Sequence, residues 1–444
     1  MSKVKFRFHL FLLTAVFAIA SCEQEESEKF PNALNYSAYV NDAWVSTALK
    51  LVKETPGFSP PVAARTFGYM GLVMYESVRP GMPGYQSLSG QINGYTSDML
   101  PNIAPQPYLW DVVANKAVFE VLKACFAGAK LENIDILTQK YEEILTTITN
   151  GDKAPDVEEA LALGEQFGLA IAAYAESDGQ VTCFNTNFPT DYQVMVGQGL
   201  WEPTSGQLIP LQPFWGNVRT FAPGSALVSV DPPLPYSEEI TSPFYLEAKE
   251  VYDTYKNIKV RERVIAEYWS DDPGKTATPP GHSLSIARQV VAKEKYGLGL
   301  SAAVYARIGM AVHDAFVNCW KSKYEYNLVR PVTYIKKTID PSFTTILATP
   351  PFPEYTSGHS VQSGATAAVL EGLFGLNYNF VDSTHAERTD INGAPRFFHS
   401  FEEFADEAAI SRLYGGIHYR RAIDLGVDQG RKVGAEIMKI KFTR

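Results

Sequence analysis

The residues of this chain best equipped for chemistry fall in three blocks near its C-terminal end. The first is Lys323, six residues, then Arg330-Pro331; the second is Ser357-Gly358-His359; the third is Ser411-Arg412, five residues, then His418. Lys323, Arg330 and Arg412 offer fixed positive charge, each Arg as a planar fork suited to tetrahedral oxyanions and Lys as a compact point. Ser357-Gly358 ahead of an apolar segment reads as a helix start, where backbone N–H groups are free to point at an anion. The second and third blocks each add a His, whose imidazole nitrogens can titrate near neutral pH. Lys323 and Arg330 lie beside Trp320, Tyr324, Tyr326 and Leu328. An unpaired cation is costly to bury in such surroundings, and a resident anion removes that cost.

A single His in a helix is more often structural than functional. His418 stands apart because it follows Arg412 across a Gly415-Gly416 break. Together, Lys-x6-Arg-Pro, Ser-Gly-His and Ser-Arg-x5-His resemble the signature of the vanadium-dependent haloperoxidases. The type-2 phosphatidic-acid phosphatases and bacterial acid phosphatases share that signature and fold. On the haloperoxidase side the likeness extends to Asp314-Ala315, Trp320, Pro351-Phe352-Pro353 and the run from Tyr414 to Tyr419. It covers roughly the C-terminal 180 residues well.

The resemblance implies vanadate as cofactor, with His418 as its sole protein ligand. It places Lys323, Arg330, Arg412, Ser357 and the Gly358 N–H around the vanadate oxygens, and makes His359 both a cofactor contact and the acid/base group. Hydrogen peroxide and halide are the implied substrates and hypohalous acid the product, with iodide or bromide the favoured halide. Trp320 and Phe352 match aromatic positions on the halide side of the pocket, where shedding water favours a large polarizable ion. Asp314, set in an otherwise apolar run, is expected to orient Arg412 or the Lys323 region, and is grouped with Lys323 and His359 as catalytic. His282 and Tyr268-Trp269 match recurring segments of the bacterial haloperoxidases without an assigned role. His313, His385 and His399 read as structural or surface residues.

One position departs from the pattern. The family commonly carries a carboxylate four residues after the ligand His, where it would fix the ring tautomer. This chain has Ala422 there, and Asp424 falls on a different helical face. A nucleophilic His depends more on such a partner than a permanent vanadate ligand does, which tilts the reading toward haloperoxidase. The alternatives are an acid phosphatase with a phosphohistidine at His418, inhibited by vanadate, and a non-catalytic surface lipoprotein that binds an oxyanion.

Elements able to position these residues are helices. Helical periodicity marks 36–54, the Ala- and Gly-rich run after Pro60-Pro61, 107–128, 131–149, 156–177, 243–256, 258–269, 282–296, 299–324, 359–374, 401–413 and 417–440. Between 178 and 236 the periodicity vanishes into Pro, Gly, Thr and aromatics, the composition of a segment that wraps a core or lines a site. A motif loop is expected over 325–356, and no stretch alternates as a strand should. The fold class is therefore all-α: two four-helix-bundle-like halves packed together, an N-terminal one over 36–236 with the wrapping connection and a C-terminal one over 237–444 carrying the oxyanion site. Gly164-x3-Gly168-x2-Ile171 echoes Gly430-x3-Gly434-x2-Ile437, and Ala64-Arg65 with Tyr75-Glu76-Ser77 echoes Ala306-Arg307 with His313-Asp314-Ala315. Duplication of one bundle would explain both.

The chain has 444 residues, 45% of them hydrophobic, and a net charge of −10, which disfavours nucleic acid as a partner. Residues 1–21 combine a basic start with a short apolar run and read as a signal peptide. Ile19-Ala20-Ser21-Cys22 resembles a bacterial lipobox, making Cys22 the expected lipidation site and 22–35, with its Glu23–Glu28 acidic tract, a tether. The expected location is exported and lipid-anchored, at the outer membrane or cell surface, or in the periplasm, with the lipid anchor as the membrane contact. Oligomerisation is left open. Beyond Cys22 only Cys125, Cys183 and Cys319 remain, too few for a disulfide scaffold and without zinc-type spacing.

Overall fold

A computed structural model describes residues 31–180, 183–204 and 206–444. The expected signal peptide and the expected lipidation site Cys22 lie outside the described residues. Among those described, no helix is long and apolar enough to cross a membrane.

Apolar residues at helical spacing give α1 (Tyr39–Glu54), α2 (Pro60–Val78), α3 (Trp110–Cys125), α4 (Leu131–Thr149) and α5 (Pro155–Glu176) in the first half. The second half supplies α6 (Pro243–Lys256), α7 (Val260–Tyr268), α8 (Thr278–Lys293), α9 (Leu298–Tyr326) and α10 (Pro331–Thr338). It closes with α11 (Gly358–Phe374), α12 (Phe401–Tyr414) and α13 (Arg420–Met438). Helices α2 and α9 are buried along almost their whole lengths and form the central pair. One large apolar core spans both halves. A smaller core under α6, α10 and α13 backs the motif loop.

The all-α expectation holds, with two local corrections. Part of the stretch read as loop is the helix α10, only eight residues long and so too short to show a period. Pro331 opens it, and Tyr334 and Ile335 bury its inner face. A small antiparallel hairpin, β1 (Phe380–Asp382) with β2 (Arg396–Phe398), also forms. Three-residue strands offer no alternation to read.

The two halves pack alike. On α2, a Cβ at Gly71 would fall 2.4 Å from the Tyr305 carbonyl oxygen, and on α9 one at Gly309 would fall 2.3 Å from that of Phe67. The offset relating Gly71 to Gly309 also relates Phe67 to Tyr305 and Glu76 to Asp314, so the central crossing is closely two-fold. Gly164 and Gly168 bring α5 against Val113 and Ala117 of α3, as Gly430 and Gly434 bring α13 against Val361 and Ala365 of α11. A duplicated bundle accounts for this register, in which Tyr75-Glu76-Ser77 and His313-Asp314-Ala315 correspond while Ala64-Arg65 and Ala306-Arg307 fall four residues out of step.

Glu76 and Asp314 do equivalent work. Glu76 accepts from the Leu88 N–H at 2.6 Å, and Asp314 accepts from the N–H groups of Phe221 and Ala222 at 2.7 and 2.9 Å. Each buried carboxylate thus pins a loop to the central helix pair. The irregular connection held by Asp314 wraps the motif region: Trp201 N–H donates to the Asn327 carbonyl at 2.7 Å and Leu211 N–H to that of Pro351 at 2.8 Å.

Candidate active site

Each site residue stands at a helix end. Lys323 lies in the last turn of α9, Arg330 is the N-cap of α10, Ser357 the N-cap of α11, and Arg412 lies in the last turn of α12. His418 occupies the turn between α12 and α13, where Gly416 adopts φ +78°. Such a backbone suits glycine, and it lets the chain reverse within the few residues between Arg412 and His418. Fold contacts therefore bring all three sequence blocks to one place.

His418 is held at both nitrogens. Its Nδ1 lies 2.8 Å from Oε1 of Glu354, which also accepts the Tyr419 N–H at 2.9 Å. Arg330 Nη1 lies 3.2 Å from Nε2. A carboxylate on Nδ1 selects the tautomer with its proton there, leaving the Nε2 lone pair for an electrophile. Burial, with Arg330, Lys323 and Arg412 adding to it, keeps the imidazole well below its usual pKa and therefore neutral. Glu354 thus occupies the role left open at Ala422. That residue contributes its carbonyl, which accepts the Ser357 N–H at 3.0 Å. With the carboxylate supplied from another element, Ala422 no longer separates a haloperoxidase from a phosphatase.

The cations are fully buried. Arg330 spends Nε on the Phe352 carbonyl at 2.9 Å and Nη1 on that of Ile417 at 2.8 Å, while its Nη2 has no partner. Arg412 Nη1 donates to the Trp269 carbonyl at 2.8 Å, and its Nε has no partner. Burial pushes both guanidinium groups down to about 10. Lys323 Nζ reaches the carbonyls of Pro353, Glu354 and Thr356 at 3.0, 3.0 and 2.5 Å. Burial draws this amine down to about 7. Three carbonyl acceptors nevertheless require three donors, which only the ammonium form has. In this arrangement Lys323 clamps the Pro353–Thr356 loop that carries Glu354.

His359, on the first turn of α11, bonds the Trp269 carbonyl and leaves a buried Nε2 without a partner. Burial, reinforced by Arg412, holds it well below the ordinary His value, so its free nitrogen is a base. Ser357 accepts the Ser360 N–H at 3.4 Å, which leaves its own hydroxyl proton to donate. A cavity of about 720 Å³ opens over this end of the bundle, lined by Gly358, His359, Arg412 and His418 on one side and Phe316, Trp320 and Phe352 on another. The Trp320 and Phe352 rings lie 5.0 Å apart. The connection that the sequence suggested would line a site does so through Asn187, Phe188 and Leu211.

Asp314 is a correction. Its oxygens are spent on the Phe221 and Ala222 N–H groups and on neither Arg412 nor Lys323. Its effect on the site is indirect, through the wrapping segment. His385, read as structural or surface, is buried, and so is His282.

The comparisons with known proteins agree with this geometry. A family model for the VCPO second helical-bundle domain matches residues 303–442. The solved structure of a bacterial vanadium-dependent iodoperoxidase superposes with a TM-score of 0.83 at 33% identity, covering 93% of this chain and 99% of that one. The chain belongs to the vanadium-dependent haloperoxidase family. A bacterial vanadium-dependent chloroperoxidase in its holo form shares the fold at a TM-score of 0.64 and 16% identity, covering 87% of this chain and 92% of that one. The vanadium chloroperoxidase of Curvularia inaequalis is 25% identical over 34% of this chain, and the match spans 35% of that curated relative.

Within this family's fold, the donors left over form a set. Lys323 and Arg330 face Glu354, Arg412 faces Asp271 and Asp272, and Arg330 Nη2 and Arg412 Nε are buried donors without acceptors. Buried unpaired donors are costly, and a tetrahedral oxyanion would satisfy them. The donor set fits such a group.

Sequence reasoning missed Glu354. The signal was present as an isolated acid in the apolar loop Pro351-Phe352-Pro353-Glu354-Tyr355. No helical spacing relates it to His418, so only the folded loop reveals the pair.

Proposed function

We propose that this protein is a vanadium-dependent haloperoxidase that uses hydrogen peroxide to oxidise halide to hypohalous acid, with iodide the favoured halide and bromide next. The observation that carries it is the pairing of a neutral His418, its Nε2 lone pair set by Glu354, with two buried guanidinium donors lacking acceptors. Vanadate would be held by His418 Nε2, by Arg330 and Arg412, and by the Ser357 hydroxyl and Gly358 N–H, while Lys323, its three donors spent on loop carbonyls, would contribute charge. When bound, the group supplies Lewis-acid activation of peroxide without a change in oxidation state.

The chain's own residues do the rest. His359 Nε2, neutral and facing the cavity, takes the proton of an incoming peroxide and returns it to the oxygen that leaves as water. Trp269 orients both His359 and Arg412 through one carbonyl. Trp320, Phe316 and Phe352 exclude water from the approach, which favours the most weakly hydrated halide. The 33% identity to an iodoperoxidase supports the iodide preference.

A paired assay on chelator-treated protein, before and after orthovanadate, tests this. Triiodide formation from iodide and peroxide should appear only with vanadate and vanish in His418→Ala. Turnover of p-nitrophenyl phosphate that vanadate abolishes, without halide oxidation, would move the protein to the phosphatase side.

Export and lipidation at Cys22 form part of the same reading, supported by the leader and lipobox pattern alone. Mass spectrometry of the mature N-terminus should find a diacylglyceryl-modified Cys22. A free serine or glutamate N-terminus beyond that point would refute it.

A further inference from the structure

Behind the Trp269–Asp271 strip lies a second buried cluster that the oxyanion chemistry does not use. Asp271, His282, His385 and Asp382 are each at most 2% exposed and come from four separate segments: the loop after α7, helix α8, the turn after β1, and β1 itself. We propose that Asp271, His282 and His385 bind a divalent cation of the zinc class, a clip that ties the strip beside Arg412 to α8 and to the turn after β1.

The argument rests on the ligand atoms. One atom from each of the three residues lies within 4.8 Å of the others. Asp271 Oδ1 stands 3.2 Å from His385 Nε2. Neither atom has an aligned hydrogen-bond partner, although both are fully buried. Bonds of about 2.0–2.1 Å in a tetrahedral zinc site place ligand atoms roughly 3.3 Å apart, so this contact has the length of one edge of such a site. His282 Nδ1, the third ligand atom, lies 2.9 Å from the other oxygen of the same carboxylate, Asp271 Oδ2.

A supporting shell is already built. His282 Nε2 lies 2.7 Å from Asp382 Oδ2, and that carboxylate also accepts the Tyr268 hydroxyl at 2.8 Å and the Thr384 N–H at 2.9 Å. A carboxylate on the far nitrogen of a ligating His fixes its tautomer and raises its basicity toward the metal. Trp269 stacks on the same imidazole with ring centroids 4.4 Å apart.

Charge points the same way. Asp271 and Asp382 share the His282 imidazole between them, with His385 and Arg412 also beside Asp271, and a dication held by Asp271 with neutral His282 and His385 would balance the two carboxylates. On binding, any proton on His282 Nδ1 leaves to solvent. Two imidazoles and one carboxylate suit zinc better than the oxygen-seeking calcium or magnesium. The ion would brace the strip whose Trp269 carbonyl holds Arg412 and His359, without touching the anion.

The test uses the full purified protein, stripped with chelator, reloaded with zinc chloride alone and desalted, with no vanadate present. Elemental mass spectrometry should find stoichiometric zinc in the wild type, in His418→Ala and in the exposed-site control His399→Ala, and none in His385→Ala. Zinc should raise the melting temperature of the wild type and not of His385→Ala. X-ray absorption should report nitrogen and oxygen neighbours without sulfur. Zinc lost on desalting, or retained equally by His385→Ala, would overturn the site and leave a metal-free imidazolium between two carboxylates. Should His385→Ala fail to fold, anomalous diffraction from zinc-loaded wild-type crystals decides, since a peak elsewhere or none refutes the proposal. Because the readout is metal content without vanadate, it stands or falls separately from the haloperoxidase reading.

Discussion

Glu354 Oε1 lies 2.8 Å from Nδ1 of His418, although the two are remote in sequence and sit on different elements. The loop carrying Glu354 is held by Lys323, so the residue expected to polarise the anion also sets the tautomer of the residue expected to ligate it. Burial pushes the Glu354 carboxyl up to about 8, opposed by Arg330 and Lys323, so its charge depends on those two cations.

Glu354→Gln keeps an acceptor for His418 and removes the charge. Removing a supporting carboxylate behind a ligand His weakens metal binding by about 10–100-fold. Titration with orthovanadate should show a loss of that order, and an affinity within twofold of wild type would exclude the role given to Glu354.

Arg412→Ala removes one of the site's two guanidinium groups that have a buried donor without an acceptor. A ligand at 100 times its Kd stabilises the folded state by about 2.7 kcal/mol. Orthovanadate should therefore raise the melting temperature of the wild type clearly and that of Arg412→Ala only slightly. Equal shifts would place the anion elsewhere.

Asp314 gives the pH prediction. Burial pushes its carboxyl up to about 7, against about 3.9 in an unfolded chain. The folded state keeps a proton that the unfolded chain releases in between. The associated stability is complete below about pH 4 and is lost as pH rises through about 7, with a slope of at most about 1.4 kcal/mol per pH unit. Urea unfolding at pH 5 and pH 8 should show the wild type losing more stability across the interval than Asp314→Asn. Parallel losses would mean that Asp314 is ionised throughout.

Gly430→Ala tests the helix crossing. The added methyl would fall 2.0 Å from the Val361 carbonyl oxygen, a backbone atom that cannot yield alone. Overpacking costs typically 1–3 kcal/mol, occasionally more, and this position belongs at the upper end. Gly206→Ala, with open space around it, should be neutral in the same unfolding experiment.

The sequence by itself determined the helices, the oxyanion-binding residue types and the family they resemble. Helical periodicity is local, and the Lys323, Arg330, Ser357, Arg412 and His418 spacings survive intact because each block straddles a helix end. The tertiary structure decided everything that depends on side chains meeting from distant segments. It turned Asp314 from a candidate catalytic group into an anchor for Phe221 and Ala222, because a buried carboxylate bonds whichever N–H groups the wrapping segment brings to it. It supplied Glu354 to His418 from a loop, where no periodicity could announce it. It also gathered Asp271, His282, Asp382 and His385 from four segments into one buried cluster, since burial of charge is a property of the folded interior and leaves no mark on spacing along the chain.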